Sequence, residues 1–174
     1  MTELPRPAIQ HRYPTDVAHC YGCGHLNPAG HRIESHIEGE QTVAHFTPEA
    51  HHTAIPGYVY GGLIASLIDC HGTGTAAAAG AALDAATDPD QAPALDPAVL
   101  AGEAPMPRYV TAKLEVSYRR PTPLGPPLEL RATVRDRSVR KVVVDITLSC
   151  AGEITAEGMV VAVRMPDHMA VDRQ

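Results

Sequence analysis

One segment near the middle of the chain limits the folds open to it. Residues 61–79, "GGLIASLIDCHGTGTAAAA", are apolar on nearly every side of a helix. A helix that is apolar all round is stable only when other elements cover most of its surface. A chain of 174 residues is long enough for one domain with a core and too short for two ordinary ones. The segment therefore predicts a single domain around one central helix, from Gly61 to about Ala79.

The C-terminal half supplies elements that can cover this helix, because its apolar and polar residues alternate as in half-buried strands. The alternating runs are residues 110–118, 128–135, 142–148 and 154–163. Two shorter runs, residues 33–38 and 42–46, flank a Gly-Glu pair and predict a hairpin. We therefore expect an α+β fold, in which a curved antiparallel sheet of five or six strands wraps the helix and the last four strands form a meander.

The other segments are expected to lie outside this core. Residues 1–18 are rich in proline and predict an N-terminal arm, before a single domain at 19–165 and a C-terminal tail at 166–174. Within the domain, residues 80–107 are rich in Ala, Pro and Asp. They predict a long surface excursion, with one helical turn that starts near Asp96.

Composition and charge exclude several classes of partner. A formal net charge of −6 argues against a nucleic-acid partner or an anionic membrane surface. No apolar run approaches the roughly 20 residues of a membrane span. The N-terminal sequence lacks the basic start and apolar stretch of a signal peptide, and four cysteines do not make a disulfide scaffold at this length. A cytoplasmic protein with reduced cysteines is expected.

The central helix carries one acid, Asp69, whose burial without a partner would cost several kcal/mol. At 100° per residue, Asp69 shares a stripe with Gly62 and Thr73, whereas His71 lies about 200° away. Backbone amides at a helix start that lacks Cβ atoms can polarise a carbonyl, and an acid two turns on can attack it or activate a water. The spacing favours acyl transfer to water over phosphate binding, but an acid that only caps or pairs remains open.

Four stretches resemble the hotdog-fold acyl-CoA thioesterases of the PaaI and 4-hydroxybenzoyl-CoA thioesterase type. They are "GYVYGGLIASLIDCHGTG" (57–74), "RYVTAKLEVSYRRPTPLGPPLELRATV" (108–134), "KVVVDITLSCAGEITAEGMVVAVRM" (141–165) and the leader "CYGCGHLNPAG" (20–30). The likeness runs from Cys20 to about Met165. It implies one hotdog domain per chain, paired into a homodimer or a dimer of dimers, which hydrolyses an acyl-CoA to a free acid and CoA without a cofactor.

The resemblance also implies roles for individual residues. The amide of Gly61, with Gly62 beside it, matches the group that holds the thioester oxygen. Asp69 matches the carboxylate that acts as nucleophile or general base, across a dimer interface from part of the site. Thr73 and Thr111 match residues that assist by orienting the reacting groups in some members.

Three further positions bear on the substrate. Arg119 and Arg120 form the best basic pair for the phosphates of coenzyme A, although a solvated strand end explains them equally well. The family commonly has His where this chain has Tyr60, and an Asn or Gln where it has Ala54. Tyr60 either restores a hydroxyl donor or fills a pocket, and the sequence leaves both open.

Other functions have weaker support. A hotdog module that binds an acyl-CoA without hydrolysis is the main alternative, because the polar pair at positions 54 and 60 is missing. Dehydration chemistry needs a His beside the acid, and His71 points the other way. A zinc site could use Cys20, Cys23 and a nearby His25 or His31, but the chain has no second Cys-x-x-Cys pair, so no metal is expected.

Overall fold

The computed structural model describes residues 7–166 and residue 169, and its elements follow the predicted order. The strands are β1 (Ser35–Glu38), β2 (Gln41–Phe46), β3 (Tyr109–Tyr118), β4 (Leu128–Arg137), β5 (Lys141–Cys150) and β6 (Glu153–Arg164). The helices are α1 (Gly61–Ala85) and the single turn α2 (Ala98–Ala101). All six strands join one antiparallel sheet, and α1 packs on β3, β4, β5 and β6. The expected architecture, one long helix wrapped by a curved sheet, is confirmed.

The predicted meander of the last four strands is wrong. The order across the sheet is β1-β2-β4-β5-β6-β3, so β3 pairs with β6 at the far edge and not with β4. The chain therefore crosses the end of the sheet between Tyr118 and Leu128. Alternation along a strand reports which face is buried and carries no information about which strand lies beside it, which is why the sequence pattern missed this crossover.

The central helix is longer than predicted, because it continues to Ala85 through a run of strong helix formers. An added Cβ at Gly80 would lie 2.5 Å from the hydroxyl of Tyr109, so this glycine lets the first residue of β3 pack directly on the helix. Only the later part of the predicted excursion leaves the helix. This later part of the segment contributes three buried residues to the core, Leu95, Leu100 and Met106.

The described part of the predicted arm is packed on the domain. Ile9 and Gln10 are fully buried, and Ile9 belongs to the main apolar cluster. Gln10 forms two hydrogen bonds with Ser35 on β1. The side-chain amide of Gln10 donates to the Ser35 hydroxyl at 3.0 Å, and the backbone amide of Ser35 donates to the side-chain oxygen of Gln10 at 2.8 Å. Residues 7–18 therefore form part of the folded body, whereas residues 1–6 lie outside the described range.

No helix that the structure describes combines the length and the apolar character needed to cross a membrane.

Candidate active site

Asp69 lies in the third turn of α1, half-buried beside the edge strand β3. The hydroxyl of Thr111 donates a hydrogen bond to its Oδ1 at 2.5 Å. No lysine, arginine or histidine of the described residues forms an ion pair with the carboxylate. Burial raises the pKa of Asp69, and the hydrogen bond from Thr111 opposes that rise. A half-desolvated carboxylate that has no cation beside it and borders a cavity is a candidate for a functional role.

A cavity of about 320 Å³ opens in front of this carboxylate. Its walls come from the segment before the leader, the leader, α1, the start of β3 with the preceding Arg108, and Met165 after β6. The lining residues used below are Cys20, Cys23, Asp69, Cys70, Thr73 and Thr111. Three of the predicted site residues, Asp69, Thr73 and Thr111, therefore share one cavity.

Within that cavity the two threonines differ in what their hydroxyls do. Thr111 contacts the carboxylate directly, as described above. The hydroxyl of Thr73 instead donates to backbone carbonyls of its own helix, that of Asp69 at 3.0 Å and that of Cys70 at 3.2 Å. Thr111 is thus the better placed of the two to orient Asp69.

The start of α1 forms a separate site. The Tyr60 carbonyl accepts from the amides of Leu63 at 3.0 Å and Ile64 at 3.3 Å. The amides of Gly61 and Gly62 have no acceptor among the described residues. Such unpaired N–H groups at a helix N-terminus suit an oxyanion or a polarised carbonyl. The hydroxyl of Tyr118 donates to the Gly61 carbonyl at 2.7 Å and ties the start of the helix to β3.

Gly61 lines a second cavity of about 380 Å³, together with Arg119 and Arg120. Eight residues separate Gly61 from Asp69, which corresponds to about 12 Å along a helix. Gly61 and Asp69 line different cavities of one chain, and the expectation that one thioester reaches both groups stays a prediction.

The remaining predicted positions lie near this second cavity. Tyr60 is 58% exposed, and its ring covers Gly62 so closely that a Cβ there would collide with it. Ala54 is exposed in a turn closed by its amide and the Tyr58 carbonyl at 2.9 Å. Arg119 pairs with Glu157 at 2.6 Å and Arg120 with Glu153 at 2.8 Å, so both guanidinium groups are already engaged.

Sequence reasoning missed the cysteines that line the Asp69 cavity. Cys70 was not considered as a site residue, yet it lines the same cavity as Asp69 and Thr73. A usable signal was present, since residues three apart on a helix are neighbours and Cys70 and Thr73 are so spaced. Cys20 and Cys23 reach the cavity through the leader, which no local pattern relates to α1.

Comparison with known proteins bears on the family of this chain. The family model described as "Thioesterase superfamily" matches residues 56–157, more than half of the chain. A crystal structure of a thioesterase superfamily protein from Shewanella loihica is 46% identical, covering 85% of this chain and 95% of that one, with a TM-score of 0.56. The domain has the hotdog fold, and the chain belongs to the thioesterase superfamily.

More distant structures share the fold alone. The E. coli PaaI protein is 18% identical, with 76% of this chain and 82% of that chain covered and a TM-score of 0.53. Thioesterase superfamily member 2 from Mus musculus is 17% identical, with 74% and 84% covered and a TM-score of 0.51. No curated protein matches the sequence with significance.

Proposed function

We propose that this chain is an acyl-CoA thioesterase, in which Asp69 attacks the thioester carbonyl or activates the water that does so. The observation that carries the proposal is the carboxylate itself: half-buried, held by Thr111, free of any cation among the described residues and facing a cavity. Membership of a superfamily of thioester hydrolases supports the reaction class.

The separation of the two cavities supports a site shared between two copies of the chain. A carbonyl oxygen at the Gly61 amide is too far from Asp69 of the same helix, so the acid and the amides that act on one thioester come from different copies. β3 offers a place for such pairing, because it is an edge strand whose described ladder runs only along β6. Edge strands with exposed apolar residues, such as Leu114 here, favour pairing with a second chain.

The coenzyme A part of the substrate is assigned to the second cavity. Arg119 and Arg120 border the same space as Gly61, so a thioester held at the helix start leaves its phosphates near them. Both are exposed surface pairs with Glu157 and Glu153, and such pairs contribute only about 0–1 kcal/mol. A phosphate can therefore displace or share these partners at little cost.

Thiol release from short, long and aromatic acyl-CoAs tests this proposal. The wild type is expected to release CoA from at least one class, and Asp69→Asn is expected to lose most of that activity. Asp84→Asn is the matched control, because Asp84 sits on the same helix but pairs with Arg164, outside both cavities. It should keep wild-type turnover.

Two results would contradict the proposal in different ways. Full activity of Asp69→Asn would refute the role of the carboxylate while leaving the reaction class intact. Tight acyl-CoA binding without CoA release across the whole panel would instead identify a binding module, the alternative that the apolar Ala54 favours.

A further inference from the structure

Three cysteine side chains meet beside Asp69, and the hydrolytic mechanism uses none of them. Their sulfur atoms, those of Cys20, Cys23 and Cys70, all lie within 4.8 Å of one another. The Cys20 and Cys70 sulfurs are 3.8 Å apart, well beyond the 2.05 Å of a disulfide bond, so these cysteines are free. Cys23 and Cys70 are buried, and the cavity of Asp69 reaches all three.

The spacing of these sulfurs matches a tetrahedral metal site. Zinc–thiolate bonds of about 2.3 Å at tetrahedral angles place two sulfurs about 3.8 Å apart. This is the distance between the Cys20 and Cys70 sulfurs. The Cys23 sulfur lies no more than 4.8 Å from either of them, so a side-chain shift of about 1 Å would give the same spacing.

Two glycines make this arrangement possible. A Cβ at Gly22 would collide with the Cys70 sulfur, so this glycine lets the helix cysteine approach the leader. The Gly24 amide donates to the Cys20 carbonyl at 2.8 Å, and a Cβ there would collide with the Cys20 backbone. The leader is therefore a tight turn that presents two sulfurs to a third one on α1.

We propose that Cys20, Cys23 and Cys70 form a three-thiolate site for Zn²⁺, which links the leader to the central helix. Soft thiolate ligands select zinc over the hard cations magnesium and calcium. The three cysteines line the same cavity as Asp69 and Thr73, so a fourth ligand to the ion would be drawn from that space. The sequence alone predicted no metal, because the third ligand of the proposed site, Cys70, lies 50 residues after Cys20 and outside any local ligand motif.

Elemental analysis of the full chain, purified without an affinity tag after growth with added zinc, tests this site. We expect about one zinc per chain in the wild type, and less than a tenth in the Cys20→Ser/Cys23→Ser/Cys70→Ser variant. Cys150→Ser is the matched control, because Cys150 is also buried but lies on β5 outside the cluster. It should keep its zinc.

Binding of Co²⁺ to metal-free, reduced protein gives a second measurement that does not depend on catalysis. A thiolate-to-cobalt charge-transfer band is expected in the wild type and in Cys150→Ser, and its loss is expected in Cys70→Ser. Circular dichroism confirms that each variant is folded. The proposal is overturned if the wild type contains less than a tenth of an equivalent of zinc and the reduced wild type shows no cobalt band. It is also overturned if the wild type contains copper in place of zinc, or if the triple variant binds cobalt equally well.

Discussion

Asp69 and His71 stand two residues apart on α1, and their surroundings differ in nearly every respect. Asp69 is half-buried, has one side-chain hydrogen-bond partner and faces a cavity. His71 is fully buried on the opposite face, and both its ring nitrogens are paired: Nδ1 with the Ser35 hydroxyl at 2.8 Å, and Nε2 with the Thr42 carbonyl at 3.3 Å. Burial lowers the pKa of His71, which favours the neutral ring, and in that ring Nε2 can donate to the Thr42 carbonyl while Nδ1 accepts from Ser35.

The cluster around His71 is closed and satisfied. Its hydrogen bonds run from Gln10 to Ser35, from Ser35 to His71, and between the hydroxyls of Thr42 and Thr75 at 2.5 Å. It joins the residues before β1, the first hairpin and the helix, and all five of its side chains are fully buried. The difference shows that a buried polar group is structural where every partner is internal, and is a candidate for chemistry where partners are missing and a cavity lies beside it.

The first prediction separates activity from stability. Asp69→Asn should lower kcat/KM by about 10³-fold, or about 4 kcal/mol of activation free energy, because the nucleophile or base is lost. It should change the free energy of unfolding by less than about 1 kcal/mol. His71→Gln should do the reverse, with a loss of about 2 kcal/mol of stability and an unchanged kcat per folded chain. Steady-state kinetics measure kcat/KM, and urea unfolding measures the stability of each variant. A variant that lost activity and stability to the same degree would contradict the difference between Asp69 and His71.

The second prediction concerns pH. Burial lowers the pKa of His71 from 6.5 to about 4, with the nearby His36 adding to the effect and the Thr42 backbone opposing it. Between these values the unfolded chain binds a proton that the folded chain does not, so stability falls as the pH drops. From pH 7 to 5 the unfolding free energy of the wild type should fall by about 2 kcal/mol more than that of His71→Gln. The same dependence of the unfolding free energy on pH in the two proteins would contradict this prediction.

The third prediction sharpens the role of Thr111. Thr111→Val keeps the shape of the side chain and removes the hydrogen bond to Asp69. We expect kcat to fall about tenfold, corresponding to about 1.4 kcal/mol, with little change in KM because the residue positions the acid and does not bind CoA. A change confined to KM would assign Thr111 to substrate binding instead.

The smallest effect is predicted for Thr73, although it lines the same cavity. Its hydroxyl is satisfied by helix carbonyls, so Thr73→Val removes no bond to the carboxylate. We expect less than about a threefold change in kcat/KM, within the roughly 0.5 kcal/mol typical of neutral replacements. A loss as large as that of Thr111→Val would show that Thr73 reorients during the reaction.

The sequence was enough to predict the helix and the strands, and to single out Asp69. Period-two alternation predicted four strands close to their observed bounds, and the continuous apolar run predicted a covered helix. Both patterns are local, because they follow from the side-chain periods of one strand or one helix. The stripe of Asp69 and Thr73 was predictable for the same reason.

Tertiary structure alone decided which elements became neighbours. It set β3 beside β6, separated Gly61 from Asp69 into two cavities, and brought Cys20 and Cys23 to Cys70. The helical rise alone spaces Gly61 from Asp69, but distant segments form the walls of the two cavities and make the other two contacts, which no local period predicts. The sequence by itself thus determined the helix, the strands and the carboxylate, whereas packing across long chain separations decided what that carboxylate faces.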